Sequence, residues 1–431
     1  MKQFIAILVL LSVAISSVSA DYVYANCMMV PTTPANITGG FQIAYTPEDQ
    51  TYTFGYTIYN IPSKASYGVV LRELGDITTS SSAGGIVGAM VDSCPGGQIT
   101  NLTSDLASLG FYAVVNASQY IVHNGPNSFV GRALTILDSH ACDPQANIVA
   151  HCVIGIANPI TTLIPKMNTT GANLASFKSS MTNAAVAVLY PTTAVSAVPV
   201  SGFMYFQVNT DGITTNVTFS AAITGLDNTT AHGVHIHAFG DLMWRNGTSV
   251  GGHWKNAALN QTHGLPPASN RELGDLGNIC VFDNVNNVAY YQYTTSYSGT
   301  PGSEVNFIGR SIVVHGIRDS GNATALGPRL AQGVIGITTN AIPKALPKDI
   351  SFATEPVCTP AGTTTTTTTG TTSTTGTTGT TGTTTGTTAA STTTSTTTSR
   401  PTTTTTTGPN SSSIVAPAFT IVIALIAMLL L

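Results

Sequence analysis

Two histidines at strand spacing dominate the chemistry that this sequence offers. The segment GVHIHAFGD, residues 233–241, places His235 and His237 two positions apart among apolar residues. Residues i and i+2 of a β-strand project from the same face, so the two imidazoles would lie side by side. Imidazole is the usual protein ligand for copper and zinc, and several must converge to hold either metal. The segment therefore suggests a metal site on a strand.

Further candidate ligands follow in the same part of the chain. His315 ends an apolar run, RSIVVH, that predicts another strand and could bring its imidazole to the same wall. The other candidates stand in segments rich in Gly and Pro; they are His253, His263, Glu272 and Asp275. Each is a weak signal alone, because an H-x-H pair in a strand is more often incidental, and His232 favours a structural hydrogen-bonding role.

The elements that must position these residues occur twice. Three segments of the first half correspond to segments of the second. The pairs are GVVLRELGD at 68–76 with GVHIHAFGD, FVGRALTILDS with FIGRSIVVHGI, and CVIGI at Cys152 with GVIGI at Gly333. Both halves show short alternating runs separated by Gly, Pro, Asn and Asp, with little helical periodicity. The repeat predicts an all-β protein with two related tandem domains, each a sandwich or barrel.

The histidines distinguish the two halves. Six of the nine lie in the second half, while His123, His140 and His151 in the first favour structural roles. Comparison of the repeats predicts that the first half has Val70, Arg72, Met90 and Leu137 at the positions equivalent to His235, His237, His253 and His315. We therefore expect the first half to hold no copper.

The composition and the amino terminus predict an exported protein. Residues 1–20 are typical of a signal peptide, and ten N-x-S/T sequons fit a glycosylated protein. Six cysteines could form three disulfides in an oxidising compartment, with Cys280 to Cys358 as one expected pair. Only 8% of the residues are charged and the net charge is -4, so nucleic acid is not expected as a partner.

The carboxyl terminus predicts attachment to a membrane. A segment of almost pure Thr with Gly and Ser, residues 361–408, is typical of an unfolded, O-glycosylated stalk. Small residues and a terminal apolar tail at 409–431 resemble a GPI-anchor signal. A transmembrane helix is the alternative, disfavoured because no basic residue follows the tail. The predicted folded parts are a degenerate domain at 21–160, a linker at 161–182 and a metal-binding domain at 183–345.

The second half resembles the copper/zinc superoxide dismutases. The matching segments, in the family's order across residues 183–337, are AAVAVLYP, HGVHIHAFGD, GGHW, HGLPP, GDLGN, GRSIVVH and GPRLAQGVIGI. The resemblance implies a Greek-key β-sandwich or barrel in each half. It also implies an enzyme that converts two superoxide anions to dioxygen and hydrogen peroxide by copper redox cycling. A non-catalytic cell-surface copper-binding or adhesion protein on a degenerate scaffold is the alternative.

Carried over position by position, the resemblance implies two metal sites and two catalytic groups. Copper would be held by His235, His237, His253 and His315. Zinc would be held by His253, His263 and Asp275, with Glu272 where the family has another histidine. Asp319 matches a carboxylate that links the ligands of the two metals. His253 is implied as bridging ligand and proton shuttle, and Arg329 as the group that attracts and positions superoxide. Lys255 is a further candidate for that attraction.

Three departures from the family bear on these expectations. Glu272 replaces a histidine, and the two cysteine positions of the family's intrasubunit disulfide align with Gly247 and Gln332. The segment from Asp319 to Arg329 is also short, and exported copper-only members of the family lack both that loop and zinc. Copper is therefore predicted, and zinc stays open. The degenerate half would either replace the second subunit of a dimer or act as a spacer.

Overall fold

The computed structural model describes residues 23–339 except 33–35, 47–50, 63–65, 89, 92–93, 103–110, 117–127, 144, 159–182, 195–197, 211–213, 229, 257–258, 284–287, 299–305 and 323–325. The predicted signal peptide, linker, stalk and anchor signal lie outside the described residues, as does His123. All described residues belong to one compact unit. No helix in this part of the chain is long and apolar enough to cross a membrane.

Within the described residues, twenty strands make up nearly all of the regular structure. The strands of the first half are β1 Val23–Met28, β2 Val30–Pro31, β3 Thr38–Thr46, β4 Thr51–Tyr59, β5 Tyr67–Leu71, β6 Met90–Val91, β7 Cys94–Pro95, β8 Gln98–Leu102, β9 Phe111–Asn116, β10 Ala133–Leu137, β11 Ile148–Val153 and β12 Gly155–Ile156. Those of the second half are β13 Ala184–Pro191, β14 Ser201–Thr210, β15 Thr214–Thr224, β16 His232–His237, β17 Asp275–Asp283, β18 Val288–Ser298, β19 Ser311–His315 and β20 Arg329–Ile337. One 3₁₀ turn, Thr248–Val250, follows β16.

The second half is a closed antiparallel barrel. Its strands pair in the order β13-β14-β15-β18-β17-β16-β19-β20. Strand β15 shows how the sequence makes it, because Val217, Phe219, Ala221 and Ile223 are buried in the core while Thr218 and Ala222 are partly exposed. This alternation buries one face of each strand and leaves the other for solvent or loops. The all-β prediction is confirmed.

The first half forms two five-stranded sheets, β12-β1-β3-β4-β9 and β2-β11-β10-β5-β8. Their strand order follows that of the barrel, with β1, β3, β4, β9, β8, β5, β10 and β11 in the places of β13, β14, β15, β18, β17, β16, β19 and β20. No ladder joins β8 to β9 among the described residues, and residues 103–110 between them lie outside the description. The two halves thus share one strand order.

Register equivalence corrects one sequence prediction. Val70 pairs with Thr135 as His235 pairs with Val313, which agrees with the expected match of β5 to β16. The bridge between Arg72 and Ile86 repeats the bridge between His237 and His253. Ile86, and not Met90, therefore occupies the position of His253. Sequence comparison gave the wrong residue because backbone pairing determines which residue takes this position. The segment equivalent to GGHW at 251–254 is therefore GGIV at 84–87.

Disulfides tie strands and loops of the first half together. Cys27 in β1 bonds to Cys152 in β11, and Cys94 bonds to Cys142. Cys280 is also disulfide-bonded, and its expected partner, Cys358, lies outside the described residues.

The two halves contact each other through reciprocal interactions. Gly75 N donates to Ile337 O at 2.8 Å, and its counterpart Gly240 N donates to Ile156 O at 2.9 Å. Side chains add a second reciprocal pair of bonds: Asn26 Nδ2 to Asp241 Oδ2 and Thr338 Oγ1 to Asp76 Oδ2, both at 2.7 Å. Leu74 packs against the core of the second half, and Phe239 packs against the core of the first. Equivalent segments thus meet across the contact.

Candidate metal centre

Strand β16 presents its histidines on the outer face of the barrel. Val234 and Ile236 enter the barrel core, so alternation places His235 and His237 on the opposite face. The loops after β16 and β19 cover that face, and both imidazoles are 0% exposed. Burying two imidazoles is unfavourable unless each has a polar partner. The groups around them therefore indicate what the two side chains do.

Four imidazoles converge on this face. The metal-binding atoms of His235, His237, His253 and His315 all lie within 4.8 Å of one another. The rings of His235 and His253 stack with centroids 4.1 Å apart, and His237 Nε2 lies 3.4 Å from His315 Nε2. Strands β16 and β19 are neighbours in the barrel, which brings His315 to the wall, and the bridge at His237 brings His253.

The protonation of three of these imidazoles suits a metal. Burial lowers the pKa of His235 to about 4 and that of His315 to about 2, and it holds the pKa of His237 well below its usual value. Neutral imidazole is the form that ligates metal. His237 donates through Nδ1 to Gly251 O at 2.9 Å, which leaves Nε2 with its lone pair. His235 donates through Nε2 to Asp319, and its buried Nδ1 has no hydrogen-bond partner in the described part of the chain. The donor set therefore fits copper.

A second, acidic cluster lies on the other side of His253. His253 Nδ1 is 3.0 Å from Asp275 Oδ1 and 3.2 Å from His263 Nδ1, and His263 Nδ1 is 3.1 Å from the same carboxylate oxygen. Glu272 Oε2 lies 3.1 Å from His253 Nδ1 and 3.7 Å from His263 Nδ1. Two imidazoles and two carboxylates at such distances form a set that zinc accepts.

The compact set on this side contains His235, His253, His263 and Asp275, and Glu272 is not a member of it. We nevertheless group Glu272 with the acidic cluster, because it contacts two members while His235 already belongs to the imidazole set. Hydrogen bonds with His253 and His263 lower the pKa of Glu272 to about 2. Burial disfavours a charged His263, but hydrogen bonds to Asp275, Asp319 and Glu272 outweigh it and raise its pKa to about 11.

Asp319 connects the two clusters. Its Oδ2 lies 2.8 Å from His235 Nε2 and its Oδ1 lies 3.0 Å from His263 Nε2. The carboxylate is fully buried. Asn278 fixes its backbone through two bonds, accepting from Asp319 N at 2.7 Å and donating to Asp319 O at 2.9 Å. The arrangement orients one imidazole of each cluster.

Arg329 lies beside the imidazole cluster, anchored by the backbone. Its guanidinium donates to Gly251 O at 2.7 Å and to Gly247 O. Its charge lowers the pKa of both His237 and His315, so it acts on the cluster electrostatically. Lys255 is exposed, and its ammonium lies 3.9 Å from Glu272 Oε1, on the acidic side of the centre.

The structure also locates residues that the sequence suggested for other roles and residues that it did not suggest. His232 hydrogen-bonds through Nδ1 to His315 O at 3.0 Å, away from both clusters' metal-binding atoms. Gly247 and Gln332, which align with the two cysteine positions of the family's disulfide, are neighbours, since a Cβ added at Gly247 would lie 3.5 Å from Gln332 Oε1.

Two residues of the centre were not predicted from the sequence. They are Gly251, whose carbonyl binds both His237 and Arg329, and Asn278. The signals available were the second-half motifs GGHW and GDLGN.

Comparisons with known proteins agree with this centre. Residues 200–335 match the family described as copper/zinc superoxide dismutase. The extracellular copper–zinc superoxide dismutase 2 of Dictyostelium discoideum is 34% identical over 379 residues, which cover 80% of this chain and 83% of that protein. Extracellular enzyme 3 of the same organism is 31% identical over 373 residues, 79% and 85% of the two chains. An extracellular copper–zinc superoxide dismutase of Onchocerca volvulus is 38% identical over 154 residues, 32% and 70% of the two chains. The two Dictyostelium relatives match along both halves of the chain. The chain therefore belongs to the copper/zinc superoxide dismutase family.

Proposed function

We propose that the protein is an extracellular superoxide dismutase whose second half, residues 183–345, is catalytic. The observation that carries the proposal is the buried cluster of four imidazoles with Arg329 beside it. Adhesion or structural packing requires neither converging imidazoles, three of them with a pKa lowered by burial, nor a guanidinium held next to them. The first half has Val70, Arg72, Ile86 and Leu137 at the four imidazole positions.

Copper held by the four imidazoles would supply one-electron redox chemistry between superoxide and its products, and zinc in the acidic cluster would order the site without redox chemistry. Zinc binding is the less supported part of the proposal, because Glu272 stands outside the compact ligand set.

Arg329 attracts and positions the anionic substrate. Its backbone contacts at Gly247 and Gly251 hold the guanidinium in one place, so little reorganisation is needed when superoxide arrives. A fixed positive charge beside a recessed centre also raises the rate of encounter with an anion.

His253 is placed to hold the proton that the reaction needs. Its Nδ1 faces Asp275 and Glu272, while the other ring nitrogen is left for the imidazole cluster. Burial lowers the pKa of His253, but the hydrogen bonds to Asp275 and Glu272 outweigh it and the net pKa is raised. Asp319 keeps His235 and His263 in fixed orientations on either side.

The first half, residues 21–160 joined through a linker at 161–182, acts as a degenerate internal partner. The reciprocal bonds of Gly75 and Gly240 and the exchange of Leu74 and Phe239 support this role, because duplicated copies present equivalent surfaces to each other. The ectodomain should then be monomeric in analytical ultracentrifugation. A dimer that forms through the second-half barrels would contradict the proposal, and a spacer role would then replace it.

The protein is held at the outer leaflet by a GPI anchor added near residues 409–431, with the Thr-rich stalk as a spacer. Treating intact cells with a phosphatidylinositol-specific phospholipase should release superoxide dismutase activity into the medium. Retention of the activity on treated cells would favour the alternative of a transmembrane helix.

The catalytic proposal is tested by metal content and superoxide consumption of the same samples. His237→Asn should lose bound copper and superoxide consumption together. His140→Asn, at an exposed first-half histidine, is the matched control and should change neither. If the wild-type protein loads copper and consumes no superoxide, the non-catalytic copper-binding protein becomes the better description.

A further inference from the structure

A cavity of about 630 Å³ opens in the first half, away from the metal centre. Polar groups line much of it, among them Thr32, Arg72, Ser80, Ser81, Asp138 and Asn147. Cavities of this size commonly hold small molecules.

The cavity lies where the second half has its imidazole cluster. Arg72 occupies the position of His237, as their equivalent bridges establish. Ile148, which also lines the cavity, pairs with Leu137 as Arg329 pairs with His315. The first half has therefore lost the arginine of β20 and gained one at the end of β5. A positive charge persists in the equivalent cavity, but on the opposite side.

Arg72 is poorly compensated for a half-buried guanidinium. It donates to Thr135 Oγ1 at 3.0 Å and, at the long distance of 3.5 Å, to Gly84 O. Both acceptors are neutral, and among the described residues Arg72 forms no ion pair with a carboxylate. Burial lowers the pKa of the guanidinium. A guanidinium has five N–H donors, so most of them have no acceptor among the described residues and remain available to a ligand in the cavity.

The one carboxylate in the lining is already engaged. Asp138 Oδ1 accepts from Asn147 N at 2.8 Å, and its Oδ2 accepts from Asn147 Nδ2 at 3.0 Å. The exposed hydroxyls of Ser80 and Ser81 supply neutral donors nearby. The lining thus combines an unpaired cation with neutral donors, which is the chemistry that recognises an anion.

We propose that this cavity binds a small oxyanion, a carboxylate or a phosphate group, with the Arg72 guanidinium as its charged anchor. The planar fork of arginine matches both groups through two parallel hydrogen bonds. This function is separate from superoxide chemistry, because neither a metal nor any group of the second half takes part.

The test is isothermal titration calorimetry of the metal-loaded protein with inorganic phosphate and, separately, with citrate. The wild type should bind at least one of the two probes through a site that Arg72→Met weakens at least tenfold. Arg72→Lys keeps the charge without the fork and should bind with intermediate affinity. Both variants should consume superoxide at the wild-type rate, and denaturant unfolding curves like that of the wild type verify that the first half is folded.

Arg329→Met is the matched control, since it removes the corresponding charge of the second half. It should keep the Arg72-dependent site while losing superoxide consumption. If Arg72→Met folds poorly, Ile148→Asp tests the same idea, because a carboxylate placed in the cavity should pair with Arg72 and abolish anion binding. The proposal is wrong if neither probe binds, or if binding survives unchanged in the Arg72→Met and Ile148→Asp variants, whatever the result for Arg329→Met.

Discussion

His235 donates through Nε2 to Asp319 Oδ2 at 2.8 Å, and both side chains are completely buried. The bond fixes the tautomer of the imidazole and turns the unpartnered Nδ1 toward the cluster. Because the same carboxylate holds His263, one residue orients an imidazole in each cluster, although it belongs to neither metal-binding set.

Asp319→Asn should weaken metal binding without removing a ligand. An amide cannot accept from both imidazoles as a carboxylate does, so the orientations of His235 and His263 loosen. Loss of such a supporting group typically costs about 10- to 100-fold in metal affinity. Chelator competition on the purified protein measures the change. Asp227→Asn, at a carboxylate beside the non-ligand His232, is the control, and equal affinities for both variants would contradict the role given to Asp319.

Glu272→Ala should remove zinc and leave copper in place. Glu272 contacts His253 and His263 within the acidic cluster, while the imidazole set does not depend on it. Elemental mass spectrometry of protein loaded with both metals gives the two stoichiometries directly. Glu73→Ala removes a carboxylate of the first half and should change neither. If zinc content is the same in Glu272→Ala as in the wild type, Glu272 is not a ligand.

His151 should make the protein less stable in acid. The Nδ1 of this buried imidazole has no partner among the residues that the structure describes, and burial lowers its pKa to about 4 from 6.5. The unfolded chain therefore takes up a proton that the folded chain refuses, and stability falls as the pH drops from about 6.5 toward 4. The loss from this group is about 2 kcal/mol at pH 5.

Replacing His151 with Gln, the residue at the equivalent position 332, removes that titration. Urea unfolding at pH 7 and pH 5 should show the free energy of unfolding falling by about 2 kcal/mol less in His151→Gln than in the wild type. Equal losses in the two proteins would mean that the imidazole is protonated in the folded state.

The Cys94–Cys142 disulfide should tie two loops of the first half whose counterparts in the second half are joined by hydrogen bonds at the candidate metal centre. Ala141 N donates to Asn101 Oδ1 as Asp319 N donates to Asn278 Oδ1, so Cys142 directly follows the position of Asp319. Cys94 lies three residues before Gly97, in the loop before β8, which corresponds to the loop before β17 that contains Glu272. A disulfide in the first half and hydrogen bonds through Asp319 in the second thus tie equivalent loops.

Cys94→Ala combined with Cys142→Ala should lower the free energy of unfolding by about 2 to 4 kcal/mol, since the bond closes a loop with a sequence separation of 48. Denaturant unfolding of the metal-free protein measures the change. Superoxide consumption of the metal-loaded variant should remain, because the catalytic half keeps all of its ligands. A variant as stable as the wild type would mean that the loops are held by packing alone.

Much of the fold and centre could be predicted from local patterns. Alternating apolar residues indicated strands, because strand periodicity is a property of neighbouring residues. The spacing of His235 and His237 placed both imidazoles on one face for the same reason. The repeated segments also indicated two related halves before any pairing was known.

Only the tertiary structure decided what depends on strand pairing and loop paths. Backbone bridges assigned Ile86 to the place of His253, where comparison of the sequences had chosen Met90. The carbonyl of Gly251 became a partner of His237 and Arg329 because a glycine-rich turn brings it there, which no side-chain pattern reports. The move of a positive charge from the place of Arg329 to Arg72 likewise appears only when the register of both halves is known. The sequence alone determined which chemical groups were present, whereas long-range backbone pairing determined which of them meet.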